Sequence, residues 1–369
     1  MNIKFLHRNI IITLLLTLLA TNANATDWLG RISDDMPVCR LSIPGTHDAA
    51  TGEGFIDADT LAGNYIARTQ ELTLAKQWEA GIRAFDLRPD LATDSLGMQK
   101  MTVFHGEFAT NTSFSAVISM LRDSLRAHPS EFAIIIMRHE SSPNRESSHW
   151  ADRMDYILAL NSDLLVDFRP DITVGQLRGR ILLLSRDKYD SVPHGAFVEG
   201  WRHDGIIDTA NPATIQGCTQ KGNLLVQDLY DTSVEADMKA KTEAMQQLFL
   251  LGTRRKADEA GRYTWMINHT SGYCITSTEY TKEPVSTTSG YRANAAKTNL
   301  LMAKLLEERA AEGRRGGAGI VMMDFGGTDR SGCQDVYGLR LVNDVIKNNI
   351  FSSNEWYPRQ SDSTKKKNR

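Results

Sequence analysis

The sequence predicts an α/β fold, a single distorted (β/α)8 barrel of the TIM type, from eight short apolar runs separated by segments of helical period. Two further observations agree. The runs are almost continuously apolar, as expected of parallel strands buried on both faces, where a half-exposed sheet would alternate. Each run also ends in a residue able to donate, accept or carry charge, as happens where C-terminal strand ends share one mouth. A doubly wound open sheet is the alternative that the same pattern allows.

The runs cover 39–43, 81–87, 101–104, 132–137, 180–184, 224–227, 263–267 and 319–323. Helical periods lie between them. After Ser113, apolar residues fall at Phe114, Val117, Ile118, Leu121 and Leu125, and Pro129 stops the pattern. Val234, Met238, Met245 and Leu248 mark a second helix. Leu300, Leu301, Leu305 and Leu306 mark another, and Val336, Leu339, Val342, Val345 and Ile346 one after the last strand. The long connections from 138 to 180 and from 268 to 319 predict excursions over the mouth.

The termini set the domain limits. Lys4 and Arg8 precede an apolar stretch over 10–20, and Ala23-Asn24-Ala25 offers a small-x-small cleavage site, so 1–25 reads as a secretory signal peptide. The barrel is expected over 26–355. The polar tail 356–369, with Lys365-Lys366-Lys367, is expected to be disordered. Export implies a periplasmic or secreted protein. Losing 1–25 removes Lys4 and Arg8 and no acid, moving the formal charge from −3 to −5. That balance gives no bulk attraction to nucleic acid or to anionic membranes. Cys39, Cys218, Cys274 and Cys333 lack metal-site spacing; three pairings could use all four, and their spacing selects none.

The strand-end residues are His47-Asp48, Asp86 with Arg88, His105, Arg138, Arg186, Asp228 with Tyr230, Asn268-His269, and Asp324. Taken singly, each has a bland reading: a surface histidine, an ion pair closing a strand, a tight turn. Together they suit in-line displacement at a phosphodiester. Imidazole titrates near neutrality and serves as base or acid, so two histidines on opposite sides of phosphorus suffice. Arg88 can bind the phosphoryl oxygens as they gain charge. Asp48 and Asp324 can orient the imidazoles. There is no Gly-x-Ser-x-Gly elbow and no phosphate loop ending in Lys-Ser or Lys-Thr. An arginine two residues after Asp86 would repel a divalent cation, so no metal and no cofactor are expected.

At SIPGTHD (42–48), GIRAFDLR (81–88), FHG (104–106), SEFAIIIMRHE (130–140), RGRILLLSR (178–186), VQDLY (226–230) and IVMMDF (320–325), the chain resembles the bacterial phosphatidylinositol-specific phospholipases C. The resemblance implies a distorted (β/α) barrel. It also implies attack by the inositol 2-hydroxyl, which releases diacylglycerol and a 1,2-cyclic inositol phosphate. By motif, His47 would be the general base oriented by Asp324, and His105 the general acid assisted by Asp48. Arg88 would bind phosphate, and Asp86 would hold the charge network. Arg138, Arg186, Asp228 and Tyr230 would bind the inositol. Arg138 departs from the lysine common in the family. The partner implied is an inositol phospholipid, free or in a glycosyl anchor, met at a membrane interface by a monomer. The stretches 55–65 and 275–291, with Trp201, are candidate membrane-touching rim elements. Two other readings remain open: a glycerophosphodiester phosphodiesterase, and a barrel that binds inositol lipids without cleaving them.

Overall fold

The computed structural model describes residues 25–56, 67–93, 97–140, 149–188, 195–232, 235–254, 263–273 and 290–351. The expected signal peptide (save Ala25), the tail, and most of both candidate rim loops lie outside the described residues. The strands in chain order are β1 (Ser42–Thr46), β2 (Ala84–Leu87), β3 (Pro89–Thr93), β4 (Gln99–His105), β5 (Phe108–Ser113) and β6 (Ala133–Met137). They continue as β7 (Leu165–Val166), β8 (Ile181–Ser185), β9 (Ala196–Glu199), β10 (Ala213–Gln216), β11 (Lys221–Gln227), β12 (Thr264–His269) and β13 (Gly319–Met323).

Among the described residues, β6-β2-β1-β13-β12-β11-β10-β9-β8 run side by side, and pairing of β8 with β6 closes them into a nine-stranded barrel. The predicted barrel is therefore present, with a different strand list. All neighbours are parallel except β10, which runs antiparallel to β9 and β11. The run at 101–104 does not enter the wall. It lies in β4, the centre of a separate antiparallel sheet with β3 and β5. In the wall β2 pairs directly with β6, and two strands outside the predicted set, β9 and β10, enter between β8 and β11. The Ala-Phe-Val-Glu of β9 is too short and too mixed to register as a buried run.

The strand sequences explain the wall. Strand β6 (Ala-Ile-Ile-Ile-Met) and the apolar part of β8 (Ile-Leu-Leu-Leu) are buried throughout. Branched side chains suit a pleated surface packed on both faces. In β1, a Cβ on Gly45 would lie 2.4 Å from the Met322 sulfur and 3.1 Å from the Ala84 Cβ, so only glycine lets β1 sit that close to its neighbours. The foot of β1 is fastened by Asn349, whose amide exchanges two 2.8 Å hydrogen bonds with the Ser42 backbone.

Helix α1 (Leu74–Glu79) starts at a Thr73 cap, and α2 (Phe114–Ala127) starts at the predicted Ser113, whose hydroxyl accepts from the Ala116 N–H. Its buried residues are the five the period selected. The helix after β13, Gly338–Lys347, buries Leu341, Val342, Val345 and Ile346, while Leu339 is left exposed. No described helix is long and apolar enough to cross a membrane. Cys39 is buried, and Cys218 and Cys333 are exposed; Cys274 lies outside the described residues.

Candidate active site

The mouth is built where β1 turns. His47 follows the strand directly, its N–H bonded to the Met323 carbonyl of β13 at 3.0 Å. Asp48 then adopts φ 43° and ψ 52°, a left-handed conformation uncommon for a residue with a Cβ. Such strain persists where surrounding contacts over-determine it. Here the Asp48 N–H is held by the Asp86 carboxylate at 3.2 Å, and the Asp48 carbonyl accepts from Thr69 at 3.2 Å. The twist turns the Asp48 carboxyl back across the mouth. Its Oδ2 lies 3.1 Å from Nε2 of His47 and 3.2 Å from Nε2 of His105. Its Oδ1 lies 2.9 Å from Nε of Arg88.

Arg88 joins the same cluster from the end of β2. Its Nη2 is 2.9 Å from His47 Nε2 and 3.4 Å from Asp86 Oδ2. On the far side Nη1 is 3.8 Å from Glu140, a carboxylate that also accepts from the Gly106 N–H at 2.9 Å. Guanidinium has no acceptor, so Nε2 of His47 must present its lone pair to Arg88. The proton then sits on Nδ1, which donates to Oδ1 of Asp324 at 2.9 Å. Asp324 also accepts from the Gly272 N–H at 3.2 Å.

His105 arrives by another route. It ends β4, and the antiparallel sheet brings it against the mouth. Its ring centroid lies 6.1 Å from that of His47. Nδ1 donates to the Ala67 carbonyl at 2.6 Å, and Nε2 is 3.1 Å from the Tyr291 hydroxyl. Tyr291 in turn bonds the Tyr230 hydroxyl.

Burial dominates the electrostatics. It lowers His47 well below the usual imidazole range, and the Arg88 charge adds to the effect. Burial and Arg88 together bring His105 down to about 3. Burial pushes Asp48 upward against the pull of Arg88, and Asp324 upward against Gly272, Lys241 and Arg88. Arg88 is held well above its ordinary value by Asp48, Asp86 and Glu140, despite its own burial. The free site thus holds two neutral imidazoles and a fixed cation. Any proton available at Asp48 is shared with the histidines on either side.

A second group lies beside the first. Asp228 accepts from the Trp201 indole N–H and from His203 Nδ1, each at 2.8 Å. Its carboxyl is far below the usual range: burial opposes this, but His269, His203 and Trp201 together outweigh it. Arg186 stacks over Trp201 at 4.4 Å and donates to His203 Nε2 at 2.7 Å. Burial lowers the Arg186 pKa. Arg138 follows β6, its N–H on the Leu87 carbonyl at 3.1 Å. It is half-buried, and its charge reaches Arg186. The Tyr230 ring lies 5.9 Å from that of His47 and spans the two groups.

All ten site residues read from the sequence are therefore gathered at one mouth: His47, Asp48, Asp86, Arg88, His105, Arg138, Arg186, Asp228, Tyr230 and Asp324. Trp201, read as a possible rim residue, belongs with Asp228. Glu140, His203, His269, Lys241 and Tyr291 were not selected as site residues. Glu140 and His203 carry no periodic signal, and Tyr291 opens a helix. His269 stood at a strand end beside Asn268 and could have been found there. Lys241 sits in mid-helix, buried, and donates to the Leu229 and Ser271 carbonyls at 2.7 and 2.5 Å.

His47, Asp48 and Asp86 could offer a cation one atom each within 4.8 Å of one another. The Arg88 guanidinium, however, touches all three at 2.9, 2.9 and 3.4 Å. A protein cation fills the place a divalent ion would take, so the donor set does not fit a metal.

No family model matches the chain. It is 31% identical over 170 residues to the 1-phosphatidylinositol phosphodiesterase of Listeria monocytogenes, covering 43% of this chain and 48% of that protein. The match thus spans about half the length of that relative. The 1-phosphatidylinositol phosphodiesterase of Staphylococcus aureus is 24% identical over 235 residues, 59% of this chain and 71% of that one. The solved phosphatidylinositol-specific phospholipase C from Listeria monocytogenes superposes with a TM-score of 0.64 at 24% identity, over 89% of this chain and 99% of that chain. The chain is similar to the bacterial 1-phosphatidylinositol phosphodiesterases over part of its length and has the barrel fold of the bacterial phosphatidylinositol-specific phospholipases C.

Proposed function

We propose that the protein cleaves phosphatidylinositol-type lipids without a metal, by attack of the inositol 2-hydroxyl on phosphorus. The observation that carries this is the Arg88 guanidinium lodged 2.9 Å from both His47 and Asp48, with His105 on the other side of the Asp48 carboxyl. Phosphate entering beside Arg88 would release Nε2 of His47 to take the proton of the attacking hydroxyl. Asp324 holds the opposite edge of that imidazole and stabilises its charge once the proton arrives. As the new phosphorus–oxygen bond forms, the bond to the diacylglycerol oxygen breaks. That oxygen takes its proton from the Asp48–His105 pair. The anionic substrate offsets the Arg88 charge that depresses both histidines, so protonation of the pair becomes easier with substrate bound. Arg88 binds the phosphoryl oxygens as their charge grows. Asp228, Arg186 and Arg138 supply the hydrogen-bonding and charge complement of a polyhydroxy ring, and Tyr230 a face for it.

The same reading makes the protein an exported monomer that meets its lipid at a membrane surface. Mass spectrometry of the mature chain is expected to find its N-terminus at Thr26. The catalytic reading is tested with His47→Ala and His105→Ala on phosphatidylinositol micelles in the presence of a chelator. Turnover by the unaltered protein should survive the chelator. Each substitution should lower it by about 10²–10⁴. Full activity in either variant, or strict dependence on added calcium, rejects the proposal.

A further inference from the structure

One buried group at the mouth has no role in the reaction just described. His269 ends β12 and is 4% exposed. Its Nδ1 lies 3.0 Å from the Ser271 hydroxyl and 3.6 Å from Oδ1 of Asp228. Its Nε2 is buried without a hydrogen-bond partner. Leaving a buried imidazole nitrogen unpaired is unfavourable, and native proteins rarely do so.

Position and tautomer say what would complete it. The ring stands edge-on to His47 at 6.2 Å and edge-on to Trp201 at 5.8 Å. It therefore lies at the seam between the phosphate group of residues and the Asp228–Arg186 group. Asp228 is held strongly ionised, and its carboxylate beside Nδ1 favours the proton on that nitrogen. Nε2 is then the lone-pair end of the ring. Burial brings the imidazole down to about 4, so it is neutral at neutral pH and offers an acceptor with no charge. A metal would want more ligands than this nitrogen alone. A hydroxyl hydrogen needs only one acceptor.

Resting on the function proposed above, we infer that His269 is a ring-recognition residue whose Nε2 accepts a hydrogen bond from one hydroxyl of the substrate's cyclitol, next to the reacting end. A site built to bond a hydroxyl rejects the analogue lacking it, because the acceptor is then left unpaired. His269 would thus help distinguish inositol from head groups, such as glycerol, that place no hydroxyl at the seam.

The test is competition against phosphatidylinositol cleavage by myo-inositol, by each monodeoxy-inositol, and by inorganic phosphate. It uses the full chain and the variants His269→Ala and His269→Gln. In the unaltered protein, one deoxy-inositol is expected to compete about 3- to 10-fold less well than myo-inositol, the worth of one hydrogen bond. In His269→Ala that difference should vanish while competition by inorganic phosphate is unchanged. His269→Gln, whose amide oxygen can accept, should restore part of it. A general distortion of the mouth would weaken phosphate and every inositol alike, and that outcome overturns the inference. So does the persistence, in His269→Ala, of every deoxy-inositol difference seen in the unaltered protein, since only those owed to Asp228, Arg186 and Arg138 should remain. If the unaltered protein does not turn over phosphatidylinositol at all, the function proposed above falls and this inference with it. Turnover with the wrong competition pattern removes the inference alone.

Discussion

Arg88 is the residue on which the chemistry turns. It offers Nε to Asp48 and Nη2 to His47 and Asp86, a fork that a lysine ammonium cannot reproduce. Arg88→Lys keeps the charge and loses the geometry. It should lower kcat by about 10²–10³, the cost of an oxyanion donor, with a smaller change in KM. Steady-state kinetics on phosphatidylinositol would show this; a variant changed only in KM would mean that Arg88 binds ground and transition states alike. His269 supports a prediction on pH. Its folded pKa, near 4, lies below the unfolded imidazole value of about 6.5. The folded state therefore resists a proton that the unfolded chain accepts. This contribution to stability is present above pH 6.5 and lost as pH falls toward 4. Relative to the unaltered protein, His269→Gln should gain on the order of 2–3 kcal/mol between pH 7 and pH 4. Urea denaturation at the two pH values measures it, and a constant difference would count against a neutral buried imidazole.

The elements show what a sequence discloses and what it hides. Strands β2, β6, β8, β12 and β13 were legible because full burial makes each a mostly apolar run. Strand β11 was legible only in its buried half, 224–227, and the run at 39–43 overlaps β1 only at Ser42 and Ile43. Helix Phe114–Ala127 was legible from its cap and period. Strand β9 was not, since it alternates buried and partly exposed positions over four residues. Strand β4 was misplaced for the opposite reason. Its buried half, Met101 to His105, looks like a wall strand, and only its antiparallel pairing with β3 and β5 reveals otherwise. His105 was nevertheless read as a site residue, because the added sheet delivers it to the same mouth. Glu140, His203 and Tyr291 reach the site from loops and a helix start, where neither period nor strand end points to them. At the opposite end of the barrel, just before β2, Arg83 forms a buried pair with Glu131 at 2.9 Å and lies over the Trp78 ring at 3.8 Å. Glu131 also accepts from the N–H groups of Leu29 and Gly30, tying the N-terminal segment to the wall. Arg83→Met leaves that carboxylate buried and uncompensated, and should cost about 3–5 kcal/mol in urea denaturation while KM stays unchanged. A parallel rise in KM would show that this end and the mouth are coupled.

At the scale of the whole molecule, the barrel acts as a frame that brings distant stretches of chain to one rim. Residues 47 and 324 are adjacent through the β1–β13 pairing, and 88 and 138 through β2–β6. On the proposed function, two neutral imidazoles, one fixed cation and a carboxyl between them form a set that would move protons across a phosphorus atom using side chains alone. The central claim is that the first product is cyclic, because the nucleophile belongs to the substrate itself. Phosphorus NMR during cleavage of phosphatidylinositol tests it most directly. The expected result is a five-membered cyclic phosphodiester signal that appears before any inositol monophosphate. Direct appearance of the monoester, with no cyclic signal at early times, would contradict the account.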